Sequence, residues 1–95
     1  MADIFQVELT RMAQKDLQKM PVYIVEKLLH WVKLVKQEGL QKARLVKSFH
    51  DEPLKGTRKG QRSIRLNSAY RAIYCEKFQG KVEFVEIQEV NKHGY

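Results

Sequence analysis

The run from Val22 to Glu38 constrains this chain more than any other stretch. Val25, Leu28, Leu29, Val32 and Val35 recur at helical spacing, and Ile24, Trp31 and Leu34 widen the stripe. So broad an apolar face suits a helix packed against both a sheet and a partner helix. Its limits are marked on both sides. Pro21 cannot continue a preceding helix but fits the first turn of a new one. Gly39 fits the position after the last turn. Trp31 on the stripe reads as core, and His30 as a flanking surface residue.

The remaining segments supply the sheet and the partner helix. From Ile4 to Leu9, the apolar Phe5, Val7 and Leu9 alternate with Gln6 and Glu8, which predicts a half-buried strand. Thr10 is an N-cap candidate for a short helix over about Arg11 to Lys19, with Ala13, Leu17 and Met20 along one side. The tight join at Pro21 makes the two helices a hairpin. Leu40 to Lys47 allows one more helical turn with a basic outer face. Phe49 to Gly60, with Pro53, Gly56 and Gly60 among charges, reads as an ordered loop. Gln61–Leu66, Tyr70–Glu76 and Lys81–Val90 follow as strands, turned at Asn67-Ser68 and Gln79-Gly80. In the last of these, Val82 and Phe84 are out of phase with Val85 and Ile87. Either a bulge shifts the phase or both faces are partly covered. The expected fold is α+β: an N-terminal strand, an α-helical hairpin, then a three-stranded antiparallel meander completing one sheet, with the helices on one face. A chain of 95 residues holds one core, so a single domain is expected over 1–95.

Several classes of function are disfavoured. No apolar run approaches the roughly 20 residues of a membrane span, and the N-terminus lacks a signal pattern, so a cytoplasmic protein without a membrane partner is expected. One cysteine, Cys75, cannot form an internal disulfide and is expected to pack as a small apolar side chain. His30, His50 and His93 lie far apart, without metal-ligand spacing, so neither metal nor cofactor is expected.

Charge is unevenly placed. Residues 40 to 74 hold nine Lys or Arg against two acids, an excess equal to the +7 of the whole chain. Such a window favours a polyanion, RNA or DNA before others. Arg65 and Arg71 fall on adjacent predicted strands around a short turn and can share one groove, with Lys55, Arg58 and Lys59 brought near by the preceding loop. Together they could hold a phosphate and stabilise the added charge of a phosphorane; the alternative is solvated surface cations. Glu52 is one of only two acids in this window. Among cations it stays ionised, so it takes a proton only when a substrate phosphate offsets them. The alternative reading is a structural ion pair with Lys55 or Arg71. At the end of the chain, His93 is a candidate general acid and Tyr95 can stack on a base or donate to a phosphate.

These residues together resemble the bacterial RelE/ParE toxin superfamily, in particular its YoeB branch. The resemblance is carried by Glu52-Pro53-Leu54-Lys55-Gly56, the Gly-containing loop after it, the basic strand, Tyr70-Arg71-Ala72-Ile73-Tyr74, and the early Leu-Thr with a helix hairpin around Pro21. It implies the toxin of a type II toxin–antitoxin pair, an mRNA endonuclease acting in the ribosomal A site without metal. The 2′-hydroxyl would attack its own phosphate, leaving a 2′,3′-cyclic or 3′-phosphate and a 5′-hydroxyl, so DNA should not be cut. Under that resemblance Glu52 is the general base, Arg71 steadies the transition state, His93 is the general acid and Tyr95 contacts substrate. Lys55, Arg58, Lys59, Arg62 and Arg65 are the expected phosphate or RNA contacts. The implied partners are ribosome, mRNA and an antitoxin whose acidic segment wraps the basic face. On the same fold, a ParE-like gyrase inhibitor without nuclease activity is the alternative, and a degenerate member that only binds RNA or antitoxin is a third.

Overall fold

The computed structural model describes residues 3–92. Strand β1 (Val7–Leu9) leads into helix α1 (Arg11–Gln18), helix α2 (Val22–Glu38) and a short α3 (Leu40–Leu45). After a 3-10 turn at Lys47–Phe49 come β2 (Glu52–Pro53), a second 3-10 turn at Gly56–Arg58, and then β3 (Arg62–Arg65), β4 (Tyr70–Gln79) and β5 (Val82–Lys92). The five strands form one sheet in the order β1-β5-β4-β3-β2, with β1 parallel to β5 and every other pair antiparallel. This is the expected α+β arrangement with one strand more. Glu52–Pro53, read from the sequence as loop, pairs with Arg62 and Ser63 at the sheet edge. Proline is tolerated there because an edge strand leaves one side of its backbone unpaired.

The helix limits follow the predicted signals. Thr10 Oγ1 accepts from Ala13 N–H at 3.1 Å, an N-cap, while its own hydroxyl donates to Gln88 O at 2.8 Å. Gly39 has φ +93°, and a Cβ there would lie 2.1 Å from Asp3 Oδ2. Glycine is therefore favoured by the backbone conformation, and a Cβ would in addition displace the Asp3 carboxylate. Asp3 Oδ1 accepts from the Gln41 N–H at 3.1 Å, tying the N-terminal segment to the start of α3.

The core lies between the helices and one face of the sheet. Ile24, Leu28, Trp31 and Val35 of α2 are fully buried with Ile64, Ala72, Tyr74, Val85 and Ile87 of the strands, and the Trp31 and Tyr74 rings meet at 5.0 Å. Burying each large apolar side chain contributes about 1.5–3 kcal/mol. Trp31 is thus core and His30 exposed, as expected. Two details of the predicted stripes differ. Leu29 is 51% exposed at the margin of the α2 face, and in the N-terminal segment Ile4 is buried while Phe5 is exposed. The latter reversal arises because regular pairing starts only at Val7, so alternation cannot be extended back from there. In β5 the phase conflict is settled by cover on both faces: the adjacent Phe84 and Val85 are both buried while their pairing with Lys77 and Glu76 stays regular. A bulge comes only further on, where Ile73 pairs with Glu89 but Tyr74 with Ile87, leaving Gln88 as the extra residue. Helix α1 satisfies the bulge, since Thr10 donates to Gln88 O and Asp16 Oδ2 accepts from Val90 N–H at 3.0 Å. No helix among the described residues is long and apolar enough to cross a membrane.

Candidate active site

The sheet face turned away from the helices carries the candidate site. Register fixes which side chains share it, because directly opposed residues in antiparallel strands project to the same side. Glu52 lies opposite Ser63, and Arg65 opposite Arg71, which in turn faces Asn91. Glu52, Arg65 and Arg71 therefore occupy one face. With His50, Ser63, Asn67, Ser68 and Tyr70 they line an open depression of about 320 Å³.

Alternation along the segment before β3 turns Glu52 toward this depression. Phe49 is buried and the Asp51 side chain is fully buried, whereas His50 and Glu52 between and after them are about half exposed. Asp51 is held from two sides: Oδ1 accepts from Arg62 Nε at 2.6 Å and Oδ2 from the Tyr74 hydroxyl at 2.5 Å. Arg44 Nη2 donates to Glu76 at 2.6 Å at the other end of the same cluster. Burial is the main reason that the Tyr74 phenol is pushed far above its ordinary value, with Asp51 adding to the effect and Arg44 opposing it. A protonated phenol is what Asp51 needs as donor. The paired carboxylate thus fixes the edge strand and leaves its neighbour, Glu52, facing out.

Arg65 and Arg71 are a like-charged pair directly across two strands, an arrangement that costs stability. Neither has an acidic partner within salt-bridge distance among the described residues. Arg71 Nε is buried without a hydrogen-bond partner; among the described residues only Trp31 Nε1, in the core, shares that condition. Two adjacent guanidiniums with an uncommitted donor suit a phosphate, which accepts from a guanidinium fork through two oxygens.

The other predicted contacts divide. Lys55 and Lys59 are exposed on the loop between β2 and β3. Arg58 is instead committed: Nη2 donates to Glu89 Oε1 at 2.5 Å and Nε to Gln61 Oε1 at 2.8 Å. Gln61 Nε2 also donates to Gln88 Oε1. Since Glu89 is on β5, these bonds draw the loop across the face, consistent with full burial of Ile73 there. Arg62 alternates with Ser63 and so lies on the opposite side, paired to Asp51. The expectation that Arg58 and Arg62 contact RNA thus meets two guanidiniums already engaged by protein carboxylates. His93 and Tyr95 lie outside the described residues.

His50, Ser63, Asn67, Ser68 and Tyr70 line the depression without being singled out from the sequence, and His50 is the one beside Glu52. His50 Nε2 stands 3.4 Å from Glu52 Oε2. The available signal was proximity along the chain, two positions from Glu52. No group of three or more His, Cys, Asp or Glu among the described residues is arranged to hold a metal. Cys75 is buried, and burial raises its thiol pKa, keeping it protonated and inert.

No family model matches the chain, and no curated protein is a significant match. Solved structures match over nearly the whole length. A YoeB/ParE toxin from Agrobacterium tumefaciens is 22% identical, with 94% of this chain and 99% of that one covered at a TM-score of 0.70. YafQ from E. coli is 20% identical, with 92% and 91% covered at 0.68. The toxin–antitoxin complex RelBE2 from Mycobacterium tuberculosis matches at 22% identity, 94% and 98% coverage and 0.65. YafQ is also known in an E. coli DinJ–YafQ toxin–antitoxin complex, 22% identical with 95% and 94% covered at 0.68. The fold is therefore the RelE-like fold of these toxins.

Proposed function

We propose that this chain is the toxin of a type II toxin–antitoxin pair and an endoribonuclease that cuts mRNA at the ribosome. The observation that carries this is the Arg65–Arg71 pair, unneutralised by any carboxylate within salt-bridge distance among the described residues, with Glu52 on the same face. A phosphodiester held by the two guanidiniums brings its ribose beside the carboxylate. Glu52 then draws the proton from the 2′-hydroxyl as O2′ attacks phosphorus. The P–O5′ bond breaks, and Arg71 balances the charge that builds on the non-bridging oxygens. His93 is assigned from the sequence as donor to the leaving 5′-oxygen and Tyr95 as a substrate contact. Lys55 and Lys59 extend the basic surface toward ribosomal or messenger RNA.

The proposed partners are ribosome, mRNA and an antitoxin. An acidic antitoxin segment fits the +7 window, and the DinJ–YafQ and RelBE2 complexes supply structural precedent on this fold. The test is a translation reaction on a defined end-labelled message. Scission that needs ribosomes, survives modest EDTA and is lost in Glu52→Ala and Arg71→Ala supports the proposal. Intact message with translation unimpeded rejects it and directs attention to gyrase supercoiling.

A further inference from the structure

We infer that His50 and Glu52 act as one base, and that the proton leaving the ribose 2′-hydroxyl ends on the His50 imidazole. This rests on the endoribonuclease reading above. His50 is the only non-glycine residue among those described with positive φ, at φ 45° and ψ 56°. A side chain is strained there and glycine is not. Nothing in the turn requires an imidazole: the hydrogen bond that closes it runs from the His50 backbone N–H to Lys47 O. The side chain is 54% exposed, and its one acidic partner within 4 Å among the described residues is Glu52. The chain thus sustains a strained backbone to place an imidazole over the depression, beside the one carboxylate that lines it.

Chemistry gives the arrangement a purpose. Glu52 shares the depression with Arg65 and Arg71, where a phosphate would sit, and its carboxylate is the group that reaches toward the bound ribose. An imidazole accepts a proton readily at neutral pH. The 3.4 Å between His50 Nε2 and Glu52 Oε2 is within charge-pairing reach and closes to a hydrogen bond as the proton passes; an imidazole is ordinarily the more basic of the two groups. The groups facing His50 around the depression are Glu52 from β2, Arg65 from β3, and Tyr70 and Arg71 from β4. In the step itself the O2′–P bond forms, the P–O5′ bond breaks, and the 2′ proton passes through the carboxylate to His50. The leaving 5′-oxygen takes its proton from the general acid assigned to His93, and His50 returns its own to solvent when product departs.

The test compares His50→Gly and His50→Gln with wild-type protein, cutting ribosome-bound message at saturating concentration with and without added imidazole. His50→Gly should be at least as stable as wild type, because it relieves the positive φ. Its cleavage should fall about 100-fold and recover as imidazole is added. His50→Gln should fall similarly and, lacking space for a free ring, should not recover. Wild-type rates in both variants overturn the inference, as does a loss in His50→Gly that added imidazole does not correct. If wild-type protein cuts no message, the reading of the site fails and takes this inference with it. That result differs from a failure of His50 alone, where wild type and both variants cut equally.

Discussion

Replacing Asp51 by Ala tests what holds Glu52 in place. The Asp51 side chain is fully buried, with Arg62 Nε at 2.6 Å and the Tyr74 hydroxyl at 2.5 Å. Truncation leaves the hydroxyl of a fully buried tyrosine without its acceptor, which costs about 1–3 kcal/mol. Breaking a fully buried ion pair costs about 3–5 kcal/mol. Arg62, however, keeps 25% of its side chain exposed and can turn to water, so its share is nearer about 1 kcal/mol. The expected total is about 2–4 kcal/mol, or a fall in Tm of at least about 10 °C for a domain of this size. Urea unfolding at pH 7, followed by circular dichroism, measures it. In a Tyr74→Phe background the same substitution should cost about 1–3 kcal/mol less, since the hydroxyl is already gone. Cleavage should drop as well, because the edge strand that presents Glu52 loses its anchor. A loss below about 1 kcal/mol, or strict additivity with Tyr74→Phe, would refute the claim that this cluster anchors the strand.

Three further outcomes are expected. Gly39→Ala should destabilise by more than about 2 kcal/mol, from a left-handed φ and a Cβ driven into Asp3; adding Asp3→Ala should recover only the steric part. Arg71→Gln should abolish cleavage while leaving urea stability unchanged or a few tenths of a kcal/mol higher, because it removes a like-charge pair with Arg65. Tyr74 holds its proton more tightly in the folded chain than at its ordinary value of 10.0, chiefly through burial. Its contribution to stability is therefore complete below pH 10 and is lost as pH rises beyond it, by up to about 1.4 kcal/mol per pH unit. The difference between wild type and Tyr74→Phe across pH 9 to 11 isolates that slope.

Much of the fold was legible because its elements have strong periods or explicit ends. The limits of α2 follow from Pro21 and Gly39, and the phase conflict between Phe84 and Val85 reflects cover on both faces of β5, where the two are both buried. Two-residue β2 was not legible, since Glu52-Pro53 has no period to detect and becomes a strand only by pairing with Arg62 and Ser63. The face-sharing of Arg65 and Arg71 was readable from their symmetric distance about a short turn. The fates of Arg58 and Arg62 were not. Both look like free cations in sequence, and their carboxylate partners, Glu89 and Asp51, are identified only by the way the loop crosses the sheet. His50 was passed over for a related reason: it was judged on metal spacing, whereas its significance lies in a single neighbour two residues on.

The central claim is that Glu52, Arg65 and Arg71 form a site for attack by a ribose 2′-hydroxyl on its own phosphate. The measurement that tests it most directly uses ribosomes programmed with a labelled message carrying a single 2′-deoxy nucleotide at the cut position. The account predicts that the all-ribose message is cut to a 2′,3′-cyclic or 3′-phosphate and a 5′-hydroxyl, and that the 2′-deoxy message stays intact at that position. Equal cleavage of both messages would contradict it, because no mechanism built on that hydroxyl survives its removal.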